Sequence, residues 1–445
     1  MTEMEGRRAR MWRALTGGIL LVGYAGYYVC RSNLSVAAPQ LLAEFGNRGL
    51  DKAALGIVSS AGVFAYAVGK LVNGAAGDLI GGRRMFLAGM AGSIAATLAF
   101  GASAGLAAFV VLWAVNRFVQ SMGWSALVKI AAHWYAPERY GTVMGVLSLS
   151  YLFGDAAGRL WLGTLVAHGA SWRAVFVAAA ATLAAIAVVC TALLRDSPRQ
   201  VGLAEPPVSS QNVYGEAGGA SRPDSLADLL APYARNPAFW LVCLISLGVT
   251  LIRESFNAWT PTYLVEIYGL SAGAAAQMSS IFPLVGGLSV LAIGGLSDRV
   301  RRHRLVLAAP FLASCALALA LIGSDTVMHS ERMGLMLLAA VAFALLGPYA
   351  LLTGAVAVDF GGRRGSATAA GLIDTAGYLG AVASGVLVGS LAQRFGWSVV
   401  FRLQAFVAAA STIGCAAFWL RTMSGGSAAC VRLVTIDEKE QVHAH

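Results

Sequence analysis

The sequence predicts an all-α polytopic membrane protein of twelve transmembrane helices, arranged as two six-helix halves related by pseudo-symmetry. Of its 445 residues, 58% are hydrophobic and only 12% are charged. This composition is too apolar for a water-soluble domain, and the chain is long enough for about a dozen crossings of ~20 residues each. One long polar stretch divides the apolar segments into two sets of six, and short motifs recur between the two sets.

The apolar segments and the basic residues together predict the topology. Most of the 32 lysines and arginines lie in the N-terminus, the even-to-odd connections and the C-terminus. By the positive-inside rule both termini are expected to be cytoplasmic, so the net charge of +10 indicates topology and not a nucleic-acid surface. The expected spans lie near 14–39, 53–77, 85–104, 107–131, 141–166, 174–194, 237–264, 272–297, 304–323, 333–357, 366–391 and 397–420.

The polar interruption predicts the domain organisation. Residues 196–235 contain proline, glycine, serine and charged residues, and we expect them to form a cytoplasmic linker. They separate an N-terminal six-helix bundle, 1–195, from a C-terminal one, 236–421, and a flexible cytoplasmic tail is expected at 422–445. The six cysteines share no metal-ligand spacing, so neither a disulfide framework nor a metal site is expected.

Two arginines occupy equivalent places in the two halves. The glycine-rich stretch before Asp78 recurs before Asp298, an offset of 220 (298 − 78). Arg31 lies in the middle of the first apolar segment, and Arg253 lies 222 residues later (253 − 31) inside the seventh. A central intramembrane arginine costs roughly 2.5–3.5 kcal/mol on insertion scales, so neither is expected without a partner. Because parallel repeats place their ligand near the midplane between the halves, we expect the two arginines to face one another across a central cavity.

The chemistry of these arginines indicates an anion site. Each guanidinium presents a planar fork of donors that suits oxyanions, and two facing forks suit a phosphate or a phosphate monoester. The alternative is that each arginine is neutralised by a neighbouring acid. Glu254 follows Arg253 directly, but adjacent helical residues point about 100° apart, so Glu254 is expected to be a poor partner.

Other polar residues inside the spans are expected at the same cavity. Lys70, one turn after Tyr66, either lines the cavity or bonds a backbone carbonyl, and the tyrosines either donate to phosphate oxygens or serve as packing. Asp374 could contact a substrate hydroxyl, carry a proton or balance Lys70. Asp155 and Arg159, spaced i and i+4, are expected to neutralise each other. The expected substrate-binding residues are Arg31, Arg253, Lys70, Tyr24, Tyr28, Tyr66, Tyr151, Asp374 and Tyr378.

The loop motifs resemble those of the major facilitator superfamily. The stretches that end in Asp78 and Asp298 resemble its loop-2/3 motif, in which an aspartate and nearby arginines latch the cytoplasmic side. The first copy departs from the pattern at Leu79, whereas the second keeps Arg299. Residues 116–124 resemble the fourth-helix motif of the same superfamily. The resemblance implies a conformational latch formed by Gly74, Asp78, Arg83, Asp298, Arg299 and Arg117.

A more specific resemblance runs along residues 15–420, excluding the linker. It is to the organophosphate:phosphate antiporter family, which includes bacterial glycerol-3-phosphate and hexose-phosphate transporters. The resemblance implies that the two arginines bind phosphate, that Lys70 supports the site and that tyrosines line it. It implies exchange of an organophosphate for inorganic phosphate, without a cofactor, in a bacterial inner membrane. The motifs are Gly23-Tyr24-x-x-Tyr27-Tyr28-x-x-Arg31-x-Asn33, Tyr66-x-x-x-Lys70, Gln120-Ser121-Met122-Gly123-Trp124, Arg253 followed by Trp259-Thr260-Pro261-Thr262-Tyr263-Leu264, and Gly347-Pro348.

The departures from this family leave the organic part of the substrate open. The glycerol-3-phosphate type carries a histidine in its fifth helix where this chain has Tyr151, and no histidine lies deep in an expected span. One rival is a proton-coupled symporter of carboxylates with Asp155 or Asp374 as proton carrier. Another is a non-transporting sugar-phosphate sensor of the same fold.

The remaining expectations concern activity and partners. An enzyme is not expected, because the aqueous segments contain no nucleophile-base pair, metal cluster or phosphate-binding glycine loop. The expected partners are an anionic small-molecule substrate, inorganic phosphate and the lipid bilayer, with no nucleic acid, and a monomer is expected.

Overall fold

The computed structural model describes residues 3–48, 50–219, 223, 225–324 and 330–442. Within these ranges every long regular element is a helix. The N-terminal half consists of α1 (Glu3–Phe45), α2 (Lys52–Ile80), α3 (Gly82–Ala102), α4 (Leu106–Gln120), α5 (Met122–Trp134), α6 (Tyr140–Ala167) and α7 (Trp172–Leu193).

A short helix in the linker precedes the C-terminal half. The elements are α8 (Leu226–Ala234), α9 (Pro237–Tyr268), α10 (Ala272–Ser279), α11 (Ile281–Val300), α12 (Ala308–Ile322), α13 (Glu331–Leu351), α14 (Ala357–Ala383), α15 (Gly389–Phe395) and α16 (Trp397–Val442). Short π-helical turns, Leu352–Val356 and Ser384–Val388, connect α13 to α14 and α14 to α15.

The helix boundaries follow from local sequence signals. Asp51 and Ser171 accept hydrogen bonds from the N–H groups of Ala54 and Ala174, which caps the first turns of α2 and α7. Gly362 takes a positive φ of 55°, a conformation that favours glycine, and breaks the regular helix inside α14. This break separates the tenth membrane crossing from the eleventh.

The helices account for the twelve predicted crossings. Nine helical stretches among the described residues are long and apolar enough to cross a membrane, and one of them, Glu331–Ala383, is 53 residues long and spans two predicted crossings. The first and fifth crossings, α1 and α6, complete the set, and both carry ionisable residues. The predicted fold class is therefore confirmed. The domain boundaries stay predictions, and the side chains of the expected tail, 422–445, lie outside the described residues.

The two halves pack closely through glycines. A Cβ atom on Gly74 of α2 would lie 3.0 Å from the carbonyl oxygen of Ala367 and from Cα of Gly371 in α14. A Cβ atom on Gly294 of α11 would lie 2.6 Å from the carbonyl oxygen of Gly141 in α6. Since no larger residue fits without movement, these glycines permit the close contacts of α2 with α14 and of α6 with α11.

Two equivalent aspartates join the halves at the same end of the bundle. The Asp78 carboxylate accepts from the N–H groups of Ala367 and Thr368 at 3.3 and 2.7 Å. The Asp298 carboxylate accepts from the N–H groups of Gly141 and Thr142 at 2.7 and 2.8 Å. Each aspartate thus lies at the start of a helical segment of the opposite half, where the free N–H groups favour negative charge. We call this end, which also carries the linker, the linker end.

The basic partners of these aspartates differ from those expected. Asp78 pairs with Lys129 at 2.8 Å and Asp298 pairs with Arg304 at 2.7 Å. Arg83 instead donates to the carbonyl oxygens of Thr191 and Leu194 at the end of α7, because Gly81, with a φ of 108°, turns α3 away from α2.

The other two expected latch arginines also lie elsewhere. Arg299 is exposed, since it projects from the outer face of α11. Arg117 lies on α4, next to the central cavity described below and among the side chains around Tyr66. Gly74 and the two aspartates of the expected latch therefore lie at contacts between the halves, whereas its three arginines, all of which the structure describes, form no ion pair with these aspartates.

The linker packs on the connection between the tenth and eleventh crossings. The Tyr233 hydroxyl donates to the carbonyl oxygen of Gly365 at 2.7 Å. Glu205 faces His133, Arg199 and Arg363. The interaction with His133, reinforced by the two arginines, lowers the pKa of the Glu205 carboxyl despite its partial burial. The linker is thus held to the bundle by specific contacts at this end.

Replacing Gly294 with valine is expected to prevent the linker end from closing. The added side chain would meet the backbone of Gly141, so the interface between α6 and α11 must open. We expect a longer distance between spin labels at Arg84 and Arg235, measured by double electron-electron resonance. Gly295→Val is the matched control, because a Cβ atom there meets nothing within 4 Å. Equal distance distributions for the two variants would contradict the prediction.

Candidate functional site

A cavity of about 340 Å³ lies between the two halves. Side chains from both halves line it, and they are predominantly aromatic, hydroxyl-bearing or charged. The lining residues are Tyr24, Tyr28, Tyr66, Lys70, Trp124 and Tyr151 from the N-terminal half, and Arg253, Tyr349, Thr353, Asp374 and Tyr378 from the C-terminal half.

Eight of the nine residues predicted for substrate binding line this cavity. Helical spacing explains how they converge, because residues three and four apart share a helix face. Tyr66 and Lys70 are spaced i and i+4 on α2, and Asp374 and Tyr378 are spaced in the same way on α14. The rings of Tyr66 and Tyr378 meet edge to face, 5.1 Å apart, across the boundary between the halves.

The ninth residue, Arg31, lies directly behind two of the lining tyrosines. Its guanidinium carbon is 4.9 Å from the ring centroids of both Tyr28 and Tyr66. One of its nitrogens donates to the Tyr28 hydroxyl at 3.2 Å. No ion pair joins it to a carboxylate in the part of the chain that the structure describes. Arg31 therefore supplies positive charge next to the cavity, held in place by cation–π contacts.

The guanidinium of Arg253 faces the cavity from the opposite half. It lies 4.2 Å from the ring centroid of Tyr349. It also forms an ion pair with Glu254, so the expectation that Glu254 would be a poor partner is wrong. The Cβ atoms of adjacent residues do diverge, but both side chains are long enough to turn back toward each other. The two groups are 15% and 26% exposed, so this pair is only partly buried.

A buried ion pair crosses the cavity. Lys70 Nζ lies 2.7 Å from a carboxylate oxygen of Asp374, and the two side chains are only 2% and 5% exposed. Among the alternatives for Asp374, the structure therefore favours neutralisation of the positive charge of Lys70. Because each half contributes one member, the pair also ties α2 to α14.

Three lining residues were missed by the sequence-based prediction of the site. Trp124 belongs to the fourth-helix motif, and its indole N–H donates to the carbonyl oxygen of Thr353 at 3.0 Å. Tyr349 follows the Gly347-Pro348 motif directly. Proximity to known motifs was the available signal for Trp124 and Tyr349, whereas nothing local distinguishes Thr353.

Arg117 is a further cation at this site. Its guanidinium carbon lies 4.6 Å from the ring centroid of Tyr66, and it donates to the side-chain oxygen of Gln120 at 3.0 Å. The residue is only 4% exposed. The resemblance implied a place in the latch for Arg117. A motif identifies the helix that carries a residue, but not how far along the membrane normal the residue lies.

Two further observations define what the site contains. Asp155 and Arg159 form the expected i, i+4 pair at 2.8 Å, outside the cavity lining, and are 35% and 53% exposed. Among the described residues, no group of three or more His, Cys, Asp or Glu side chains is placed to hold a metal ion. The site is therefore a tyrosine-lined chamber whose chemistry is that of guanidinium, ammonium and carboxylate groups.

The chain has detectable relatives across most of its length. Residues 20–385 match the family model described as Major Facilitator Superfamily. A Chlamydia pneumoniae protein described as "Probable hexose phosphate transport protein" is 27% identical over 416 residues, covering 90% of this chain and 89% of the relative. The "Glycerol-3-phosphate transporter" of Bacillus subtilis is 27% identical over 397 residues, covering 85% and 86%.

A solved structure shares the architecture. The human organic anion transporter MFSD10 superposes with a TM-score of 0.68 at 18% sequence identity. The superposition covers 91% of this chain and 99% of that one. At this identity the likeness supports the fold alone.

Proposed function

Because the chain belongs to the Major Facilitator Superfamily, we propose that it exchanges an organophosphate for inorganic phosphate across the membrane by alternating access. The membership confirms that the chain is an integral membrane transporter and not an enzyme. The names of the relatives, a hexose-phosphate transport protein and a glycerol-3-phosphate transporter, confirm the resemblance stated from the motifs. They support a phosphorylated sugar or polyol as substrate.

The observation that carries the proposal is that cations from both halves lie around one shared cavity, with Lys70 and Arg253 in its lining. Arg253 faces it from the C-terminal half, and Arg31 lies behind the tyrosines of the N-terminal half. A phosphoryl group between them would accept from guanidinium forks and tyrosine hydroxyls, which are the donors that suit a multiply charged oxyanion. The organic moiety would occupy the rest of the chamber, against Trp124 and Tyr349.

The arrangement of contacts supports alternating access. The hydrogen bonds of Asp78 and Asp298 hold the linker end closed in this conformation. The topology expected from the basic loops makes the linker end cytoplasmic, so this state would admit substrate from the opposite side. Reorientation would break these latches and close the other end around the bound anion. An empty cavity with excess positive charge is costly to occlude, which would make exchange obligatory.

The ion pairs argue against the rival of proton-coupled symport. In that mechanism Asp155 or Asp374 would carry the proton and would have to leave its present partner. Asp374 is paired with Lys70, and Asp155 is paired with Arg159. Binding of a phosphate anion changes the net charge of the cavity without protonation of either carboxylate.

A counterflow experiment tests the proposed function. The full chain is reconstituted in vesicles loaded with radioactive phosphate, and candidate compounds are added outside: glycerol phosphates, sugar phosphates, phosphoglycerates and phosphonates. We expect phosphate to leave only when one of these compounds or phosphate itself is present outside. Uptake that needs a pH gradient and ignores internal phosphate would overturn the exchange mechanism, and absence of any transport would favour the sensor.

Replacing Glu254 with glutamine is expected to strengthen phosphate binding. In the structure the carboxylate accepts a hydrogen bond from one terminal nitrogen of the Arg253 guanidinium, so phosphate must compete with it. Because the pair is partly exposed, we expect about a three- to tenfold lower Kd for phosphate, measured by isothermal titration calorimetry at pH 7.5. Asp155→Asn serves as the control, since it removes a carboxylate outside the cavity lining. Unchanged or weaker binding by Glu254→Gln would show that Glu254 does not compete.

A further inference from the structure

Three cations surround the ring of Tyr66. The guanidinium carbons of Arg31 and Arg117 lie 4.9 and 4.6 Å from its centroid, and Nζ of Lys70 lies at 5.0 Å. Tyr66 itself is buried and lines the cavity. One side of the chamber is therefore strongly positive, and Arg117 contributes to that charge although it does not line the cavity.

The charges around the chamber do not cancel. Asp374 neutralises Lys70, and Glu254 neutralises Arg253. Arg31 and Arg117 form no ion pair with a carboxylate among the residues described by the structure. The chamber and its immediate surroundings thus carry two positive charges in excess, both contributed by the N-terminal half.

Burial strengthens the electrostatic effect of the Arg117 charge on its surroundings. Its guanidinium donates to the Gln120 side-chain oxygen, which is neutral, and the residue is only 4% exposed. A buried guanidinium without a carboxylate is unfavourable, because lost hydration is not replaced by an opposite charge. Screening by water is also weak there, so the charge acts across the Tyr66 ring on whatever occupies the chamber.

We propose that Arg117 determines which ionic form of the phosphoryl group the chamber accepts: together with Arg31 it selects the dianion over the monoanion. This inference rests on the proposed function, because it assumes that a phosphoryl group binds in the chamber. Arg117 is a positioning residue in this scheme. It does not contact the ligand, and its charge acts through Tyr66 and by adding to that of Arg31.

Two small phosphate esters test the proposal. Methyl phosphate has a second pKa of about 6 and is mostly dianionic at pH 7.5, as for other phosphate monoesters. Dimethyl phosphate stays a monoanion. Binding of each to the purified full chain is measured by isothermal titration calorimetry, so the readout does not depend on transport. The variants are Arg117→Gln, which removes the charge, and Arg117→Lys, which keeps it; Arg159→Gln is the control for loss of an arginine on another membrane helix.

For the wild type we expect methyl phosphate to bind at least about tenfold more tightly than dimethyl phosphate at pH 7.5. Its affinity should fall about fourfold at pH 5.5, where about a quarter of it is dianionic. In Arg117→Gln the preference should shrink about tenfold, and the change with pH should fall below about twofold. Arg117→Lys and Arg159→Gln should keep the wild-type preference and pH dependence.

The outcomes separate the inference from the proposed function. If the wild type binds neither methyl phosphate nor inorganic phosphate, the proposed function fails. If the wild type prefers methyl phosphate and Arg117→Gln keeps that preference and its pH dependence, only the role of Arg117 is overturned. Should Arg117→Gln not be recovered from the membrane, Arg117→Met removes the charge while retaining much of the packing. If the affinity of the wild type for methyl phosphate is the same at pH 5.5 and pH 7.5, that result alone overturns selection of the dianion.

Discussion

Replacing Arg31 with lysine is expected to lower phosphate exchange at least about a hundredfold, because the ammonium keeps the charge but loses the guanidinium fork. The side chain is held by the rings of Tyr28 and Tyr66 and by the Tyr28 hydroxyl. Lysine cannot reproduce both the stacking and the bidentate donation. The measurement is the initial rate of radioactive phosphate exchange in proteoliposomes loaded with phosphate.

The equivalent change in the other half, Arg253→Lys, should impair exchange to a similar degree. Arg159→Lys is the control, because Arg159 lies on a membrane helix outside the cavity lining and pairs with Asp155. Protein amount in the vesicles is quantified for each variant, so that loss of protein is not taken for loss of function. Exchange close to the wild-type rate by either Arg31→Lys or Arg253→Lys would remove that arginine from the binding site.

Removing one member of the Lys70–Asp374 pair is expected to have the largest effect on stability. Asp374→Asn leaves the ammonium group of Lys70 buried without its carboxylate, and loss of one partner from a buried ion pair costs about 3–5 kcal/mol. Changing both residues, Lys70→Gln with Asp374→Asn, removes both charges. The double variant should therefore melt at a higher temperature than either single variant.

The measurement is the apparent melting temperature of the purified protein in detergent, for the wild type, both single variants and the double variant. Asp155→Asn is the matched control, because its partner Arg159 is 53% exposed and a pair of this kind contributes only about 0–1 kcal/mol. Strictly additive effects of the two single variants would show that Lys70 and Asp374 do not stabilise each other.

The sequence was sufficient for the fold and for most of the cavity because both depend on regular helical spacing. The recurrence of the Asp78 stretch at Asp298 identified the two halves, and the i, i+4 spacing of Tyr66 and Lys70 identified a helix face. The first pattern is an internal repeat and the second a property of a regular helix, and the structure preserves both. The structure places eight of the nine predicted residues around one cavity, while their role in substrate binding stays a prediction.

The sequence was insufficient to predict the partners of long side chains that can contact several neighbouring groups. Arg253 pairs with Glu254 despite the angle between their Cβ atoms, and Arg304 pairs with Asp298 from the connection between α11 and α12. Arg117 lies next to Tyr66 and not at the latch. Each choice depends on the relative depth and rotation of neighbouring helices, which spacing along a single helix does not specify.

The location of a bound anion tests the central claim most directly, which is that both halves contribute an arginine to one phosphate site. Arsenate has the shape and charge of phosphate, and its arsenic atom can be located by anomalous diffraction from crystals of the full chain. We expect a single strong peak in the chamber, within hydrogen-bonding distance of the guanidinium groups of Arg31 and Arg253, with Arg253 turned away from Glu254. A peak outside the chamber, or an unoccupied chamber with Arg253 still paired to Glu254 at saturating arsenate, would contradict the account.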